Sequence, residues 1–156
     1  MRHDAINSLD NPFWQYSIKV YRNSEFEEIL LQGQLLGLDV NLLLFCGYLT
    51  SHGRSLSSIT DKLWPIDHWQ VHTVQPIREL RKRVKALNKD WYDEIKSLEL
   101  EAEQIEQALL YDVSNHASVA EIPNLLSTNL NAYLQYKAIH PQKKWLQALS
   151  EHLQPS

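Results

Sequence analysis

The chain of 156 residues contains one cysteine, so no intrachain disulfide can stabilise it. Its four glycines cannot build a glycine-rich phosphate-binding loop. No apolar run approaches the roughly 20 residues that a membrane-spanning helix needs. The formal net charge of −4 provides no overall attraction for nucleic acid. Met1, Arg2, His3 and Asp4 lack the apolar core of a secretory signal, and the expected location is the cytoplasm. No catalytic signature, metal cage or cofactor motif is present, and no stretch alternates apolar and polar residues for long enough to make a strand. The expectation is therefore no cofactor and no bound metal.

The most informative stretch is residues 37–49, Gly-Leu-Asp-Val-Asn-Leu-Leu-Leu-Phe-Cys-Gly-Tyr-Leu. Asp39 has the chemistry of an N-cap, since its carboxylate accepts from free N–H groups of the first turn and favours the positive end of the helix dipole. Gly37 suits the left-handed end of a preceding helix. Leu38 and Leu43 stand at the positions of a hydrophobic staple. From Val40 onward apolar residues cover every side, which marks a helix inside a domain. Cys46 lies within it and reads as a buried, inert thiol. Gly47 predicts close approach of a neighbour, and Gly53 ends the element.

Other helices follow from capping and spacing. Asn11-Pro12 opens one whose face is Phe13, Trp14, Ser17, Val20 and Tyr21. Ser24 and Glu27 form a capping box for a second, with Phe26, Ile29, Leu30, Gly33 and Leu36 inward. Ser58 and Asp61 suit the start of another, with Ile59, Leu63 and Trp64 apolar; Pro65 ends or kinks it, and Pro76 predicts a kink or restart. Ile77, Leu80, Val84 and Leu87 mark an amphipathic helix. After a break at Asn88-Lys89-Asp90, with Asp90 as the cap, Trp91, Ile95, Leu98, Ala102, Ile105 and Leu109 alternate by four and three, as along a coiled-coil seam. Acids occupy its other faces. Residues 112–124 read as a loop, and two further helices precede and follow His140-Pro141. Residues 1–10 read as a loose tail and 11–156 as a single helical domain. The fold class is all-α: a single-domain bundle of about seven or eight helices around a buried central helix at about residues 40–52.

Three motifs in this order, NPFWQYSIKVY (11–21), GLDVNLLLFCGYL (37–49) and WQVHTVQPIRELRKRVK (69–85), resemble a family of small proteobacterial proteins known as a domain of unknown function. The resemblance covers about residues 11–110. It implies a bacterial, soluble, helical protein and carries no activity with it.

Arg78, Arg81, Lys82, Lys85 and Lys89 fall in one sector of a helix, as a phosphate-binding stripe would; the acidic helix that follows can neutralise them in an antiparallel hairpin. Arg81, nearest the apolar boundary, is expected to pair with a carboxylate such as Asp39. His68 and His72 share a face at metal-ligand spacing, but Trp69 stands where a metalloprotease helix carries glutamate, and no third ligand follows by spacing. Asp90, Asp93 and Glu94 make only one acidic motif where a magnesium site needs two. Asp39 and Asn41 together form either a cap or the polar wall of a pocket at a helix N-terminus.

Three functions are ranked on these residues. The first is a cytoplasmic helical interaction module without catalytic activity, with a protein partner. The second is an RNA- or ribosome-associated protein using Arg78, Arg81, Lys82, Lys85 and Lys89. The third is an enzyme or small-ligand binder with a polar pocket at Asp39 and Asn41. No membrane association is expected, and the oligomeric state is not set by these patterns.

Overall fold

A computed structural model describes residues 9–21 and 23–154. The tail expected over residues 1–10 lies, except for Leu9 and Asp10, outside the described residues. Among them are eight α-helices and no strand: α1 (Pro12–Val20), α2 (Ser24–Leu35), α3 (Val40–Ser51), α4 (Trp64–Trp69), α5 (Gln75–Val84), α6 (Lys89–Ser114), α7 (Leu125–Lys137) and α8 (Lys143–Leu153). A 3-10 helix (Leu56–Lys62) leads to α4, and a π-helical turn (Gln70–Val74) joins α4 to α5.

Helix α3 is the centre of the bundle. Residues 41–49 are all buried, with α1, α2, α6 and α7 packed around them. Gly37 ends α2 in the left-handed region at φ +95, where an L side chain is strained. Asp39 then caps α3, its Oδ1 accepting the Asn41 N–H at 3.0 Å. The Asp39 N–H itself donates to the Tyr133 hydroxyl of α7 at 2.9 Å, which fixes the turn between α2 and α3 against the core. At the other end of α3, Asn129 of α7, fully buried, accepts from Leu56 N–H at 2.9 Å and donates to Thr50 Oγ1 and the Arg54 carbonyl. Burial pushes the Cys46 thiol up, in keeping with an unreactive core residue.

Several caps differ from the sequence expectation. Asn23, not Ser24, caps α2, its Oδ1 accepting the Glu25 N–H at 2.8 Å. Asn88, not Asp90, caps α6 by accepting the Trp91 N–H at 3.0 Å. Pro65 starts α4 rather than ending a helix. Helix α6 runs to Ser114, into the segment expected as a loop, since Leu110 is buried in the core and Val113 packs against it. Pro76 produces no break: the chain widens into the π turn just before it, and the Gln75 N–H bonds to the Gln70 carbonyl five residues back. One extra residue in a turn is the usual way a helix absorbs a missing donor without ending.

Gly47 is the point of closest approach. A methyl there would collide with the Tyr16 hydroxyl and come 2.9 Å from Leu153 Cδ2. Gly47→Ala should destabilise by about 1–2 kcal/mol, the overpacking penalty less the roughly 1 kcal/mol that alanine contributes in a helix. The Tyr16 hydroxyl is buried without a partner, so Tyr16→Phe should shrink that loss. Chemical denaturation of the single and double variants measures both effects, and an undiminished loss in the Tyr16→Phe background would place the conflict elsewhere.

Candidate functional site

Three segments converge on one polar region: the first turn of α3, the π turn and the middle of α6. Glu106 of α6 is fully buried, and its Oε1 accepts from Gln70 Nε2 at 2.8 Å. Its Oε2 has no N–H or O–H donor, and neither has Asp39 Oδ2, also buried. Asp39 and Asn41, both at the start of α3, act on the Glu106 carboxyl in opposite directions, the first raising and the second lowering its pKa. A buried carboxyl beside a second acid favours its protonated form. Burial first, and the Asp39 charge second, hold the Glu106 carboxyl well above the usual range. A proton on Glu106 donated to Asp39 satisfies both orphan oxygens. Glu103, one turn earlier and only partly exposed, is pushed up to about 7, chiefly by burial and against the pull of Arg78.

A pocket of about 330 Å³ opens beside this pair. Asp39, Gln70, Gln75, Arg78, Lys82, Glu103 and Lys137 line it, with Gly37 and Leu38 from the turn before α3. Gln70 is buried, and its Oε1 has no donor. The π turn is what places it there, since Gln70, Val71 and Gln75 all face the pocket from this one irregular stretch. A second pocket of about 260 Å³ shares Val40 and Glu103 with the first and is mostly apolar, lined by Trp14, Ile18, Tyr21, Leu44 and Leu100.

Asp39 and Asn41 stay joined by the Asn41 N–H on Asp39 Oδ1, but they line different pockets. Asp39 lines the polar pocket. Asn41 turns into the second one, where Gln107 Nε2 donates to its Oδ1 at 2.9 Å and its own Nδ2 donates to the Glu103 carbonyl. Asn41 thereby ties α3 to α6.

The five basic residues do not share one helix, since Lys89 opens α6 itself, and of the others only Arg78 and Arg81 reach acids of α6. Arg78 Nε donates to Glu99 Oε2 at 2.8 Å and its Nη2 reaches Glu103 at 3.4 Å, while Arg81 Nε donates to the other oxygen of Glu99. Arg81 thus pairs with Glu99 and not with Asp39, because the antiparallel α5–α6 hairpin sets Glu99 between the two arginines. Lys82 pairs with Glu79 at 3.6 Å and Lys89 with Asp93 at 3.0 Å, both on the surface, and Lys85 is exposed. The exposed rings of His68 and His72 lie 4.3 Å apart. No group of three or more His, Cys, Asp or Glu able to hold a metal forms among the described residues.

Gln70, Glu99, Glu103 and Glu106 were not singled out from the sequence. The signal was there: Glu99, Glu103 and Glu106 repeat by four and three, which is a helix face. Reading acids as solvent markers hides such a face until another element supplies its partners.

The family model described as protein of unknown function (DUF2390) matches residues 12–110. That span holds Asp39, the π turn, α5 and Glu99, Glu103 and Glu106 of α6. No curated protein and no solved structure matches the chain. No helix among the described residues is long and apolar enough to cross a membrane.

Proposed function

Since the chain belongs to the family of unknown function DUF2390, membership brings no activity with it, and we propose from the geometry that the protein binds a small polar molecule in the pocket between α3, the π turn and α6. The observation that carries this reading is the side-chain Oε1 of Gln70, buried and without a donor on a residue that lines an open pocket. A buried acceptor left unpaired costs about 1–3 kcal/mol, and a ligand N–H recovers it. Asp39 and Glu103 add negative charge on the same wall, which favours an ammonium group. Lys137, half-buried, and Lys82 line the same pocket and favour an anionic group. The ligand class is a small zwitterion bearing a primary ammonium and a carboxylate.

The phosphate-binding reading has less support, because Arg78 and Arg81 are held by Glu99 and two of the three lysines have acidic neighbours. A panel of free amino acids against their N-acetyl forms tests the proposal by thermal shift and amide NMR. A matching ligand at 100 times its Kd should stabilise the protein by about 2.7 kcal/mol. The N-acetyl form should not bind, Gln70→Leu should abolish binding, and Lys137→Ala should weaken zwitterions while sparing simple amines. If no amine perturbs the amides around residues 39, 70 and 103, the reading fails.

A further inference from the structure

The apolar stripes of α5 and α6 lie on the same side of their hairpin, opposite the pocket. Trp69, the last residue of α4, donates its indole N–H to the Ala102 carbonyl on the stripe of α6 at 2.9 Å. From that point to the tip of the hairpin, nothing among the described residues covers the stripe. Leu80 is 41% exposed, Leu87 80%, Trp91 58% and Leu98 47%, around a floor of buried Val84 and half-buried Ile77 and Ile95. Leu80 on α5, Leu87 in the turn after it, and Trp91 and Leu98 on α6 make one exposed apolar face of the kind a four-helix bundle buries.

The edges of this face carry opposite charges. Arg83 is exposed along the outer edge of α5, and Glu94 and Glu101 are exposed along the outer edge of α6. A two-fold axis through the face would lay α5 of one chain over α6 of the other and set each Arg83 against the partner's acidic edge. A surface that is apolar in the middle and complementary to itself at its edges is what an isologous interface requires. We propose that the protein forms a two-fold dimer through this face, giving a four-helix bundle from two α5–α6 hairpins, with the ligand pockets facing outward. The pocket reading is not needed for this, and neither result decides the other.

Light scattering during gel filtration tests it on the full chain. The wild type should run at micromolar concentration with twice the 18.2 kDa chain mass. Leu80→Glu and Leu98→Glu should each give monomers with unchanged helical circular dichroism, since both side chains are exposed. Arg83→Glu alone, and Glu94→Arg with Glu101→Arg, should each weaken the dimer about tenfold or more through like charges facing each other. Mixing those two proteins should restore a dimer, because every edge contact then pairs opposite signs. A monomeric wild type, a dimer that survives Leu80→Glu, or a mixture that stays monomeric would overturn the proposal.

Discussion

Replacing Glu106 by glutamine should stabilise the protein at about pH 8 and flatten its stability above neutral pH, whereas alanine at the same position should destabilise it by about 2–5 kcal/mol. The glutamine keeps both contacts: its carbonyl accepts from Gln70 Nε2 and its amide donates to Asp39, as the protonated Glu106 does. Alanine leaves Gln70 Nε2 and Asp39 Oδ2 buried and unpaired, at about 1–3 kcal/mol each. The sign of the pH effect follows from where the proton sits. In the unfolded chain Glu106 ionises near its ordinary 4.5, while in the folded protein burial and Asp39 hold the proton to much higher pH. The folded state then binds more protons above about 4.5, so its stability falls as pH rises through that window. Glu103 acts with the same sign between 4.5 and about 7. Wild-type melting temperature should therefore be highest under mildly acidic conditions and keep falling above neutrality. In Glu106→Gln the fall should stop once Glu103 has ionised. Melting curves from about pH 5 to 9 separate the two cases, and parallel profiles would show that Glu106 is not the buried acid.

Loss of Glu99 should be as damaging. Its two oxygens accept from Arg78 and Arg81, whose side chains are 12% and 21% exposed. Glu99→Ala strands both guanidinium groups beside an apolar seam. Breaking a buried ion pair by removing one partner costs about 3–5 kcal/mol, and the low end applies because Arg81 keeps some access to water. Arg81→Ala should cost less than Arg78→Ala, since Arg78 also holds Glu103. Urea denaturation of the three variants gives the order, and a cost below about 1 kcal/mol for Glu99→Ala would mean that the triad behaves as a surface pair.

Helix content and the central helix were legible because they depend on local rules. Asp39 followed by ten mostly apolar residues specifies a capped, buried helix whatever surrounds it. The hairpin of α5 and α6 was legible for the same reason, and so was the possibility that acids on α6 neutralise the stripe. The site was legible only at Asp39. Glu106 is 67 positions away, and nothing in its neighbours distinguishes a buried, protonated glutamate from the solvated ones at Glu94 and Glu101. Its state depends on an element that the chain brings beside it only on folding. The stripe of Trp91, Ile95 and Leu98 shows the converse: the period was right, but period alone cannot tell a covered seam from an open one.

The π turn also sets the rotational register of everything after it. A π turn holds one residue more than an α-helical turn, and each residue of an α-helix advances it by about 100°. With one residue deleted between Gln70 and Val74, the helix would become regular, and α5 would be turned about its axis by roughly that angle relative to α4. Arg78 would then leave Glu99, and Leu80 and Leu87 would swing off the apolar face. This irregular turn acts as the coupling between two gears: the same extra residue that brings Gln70 to Glu106 also times the arginines to their glutamate, so pocket and hairpin cannot drift independently in a lineage that gains or loses residues there.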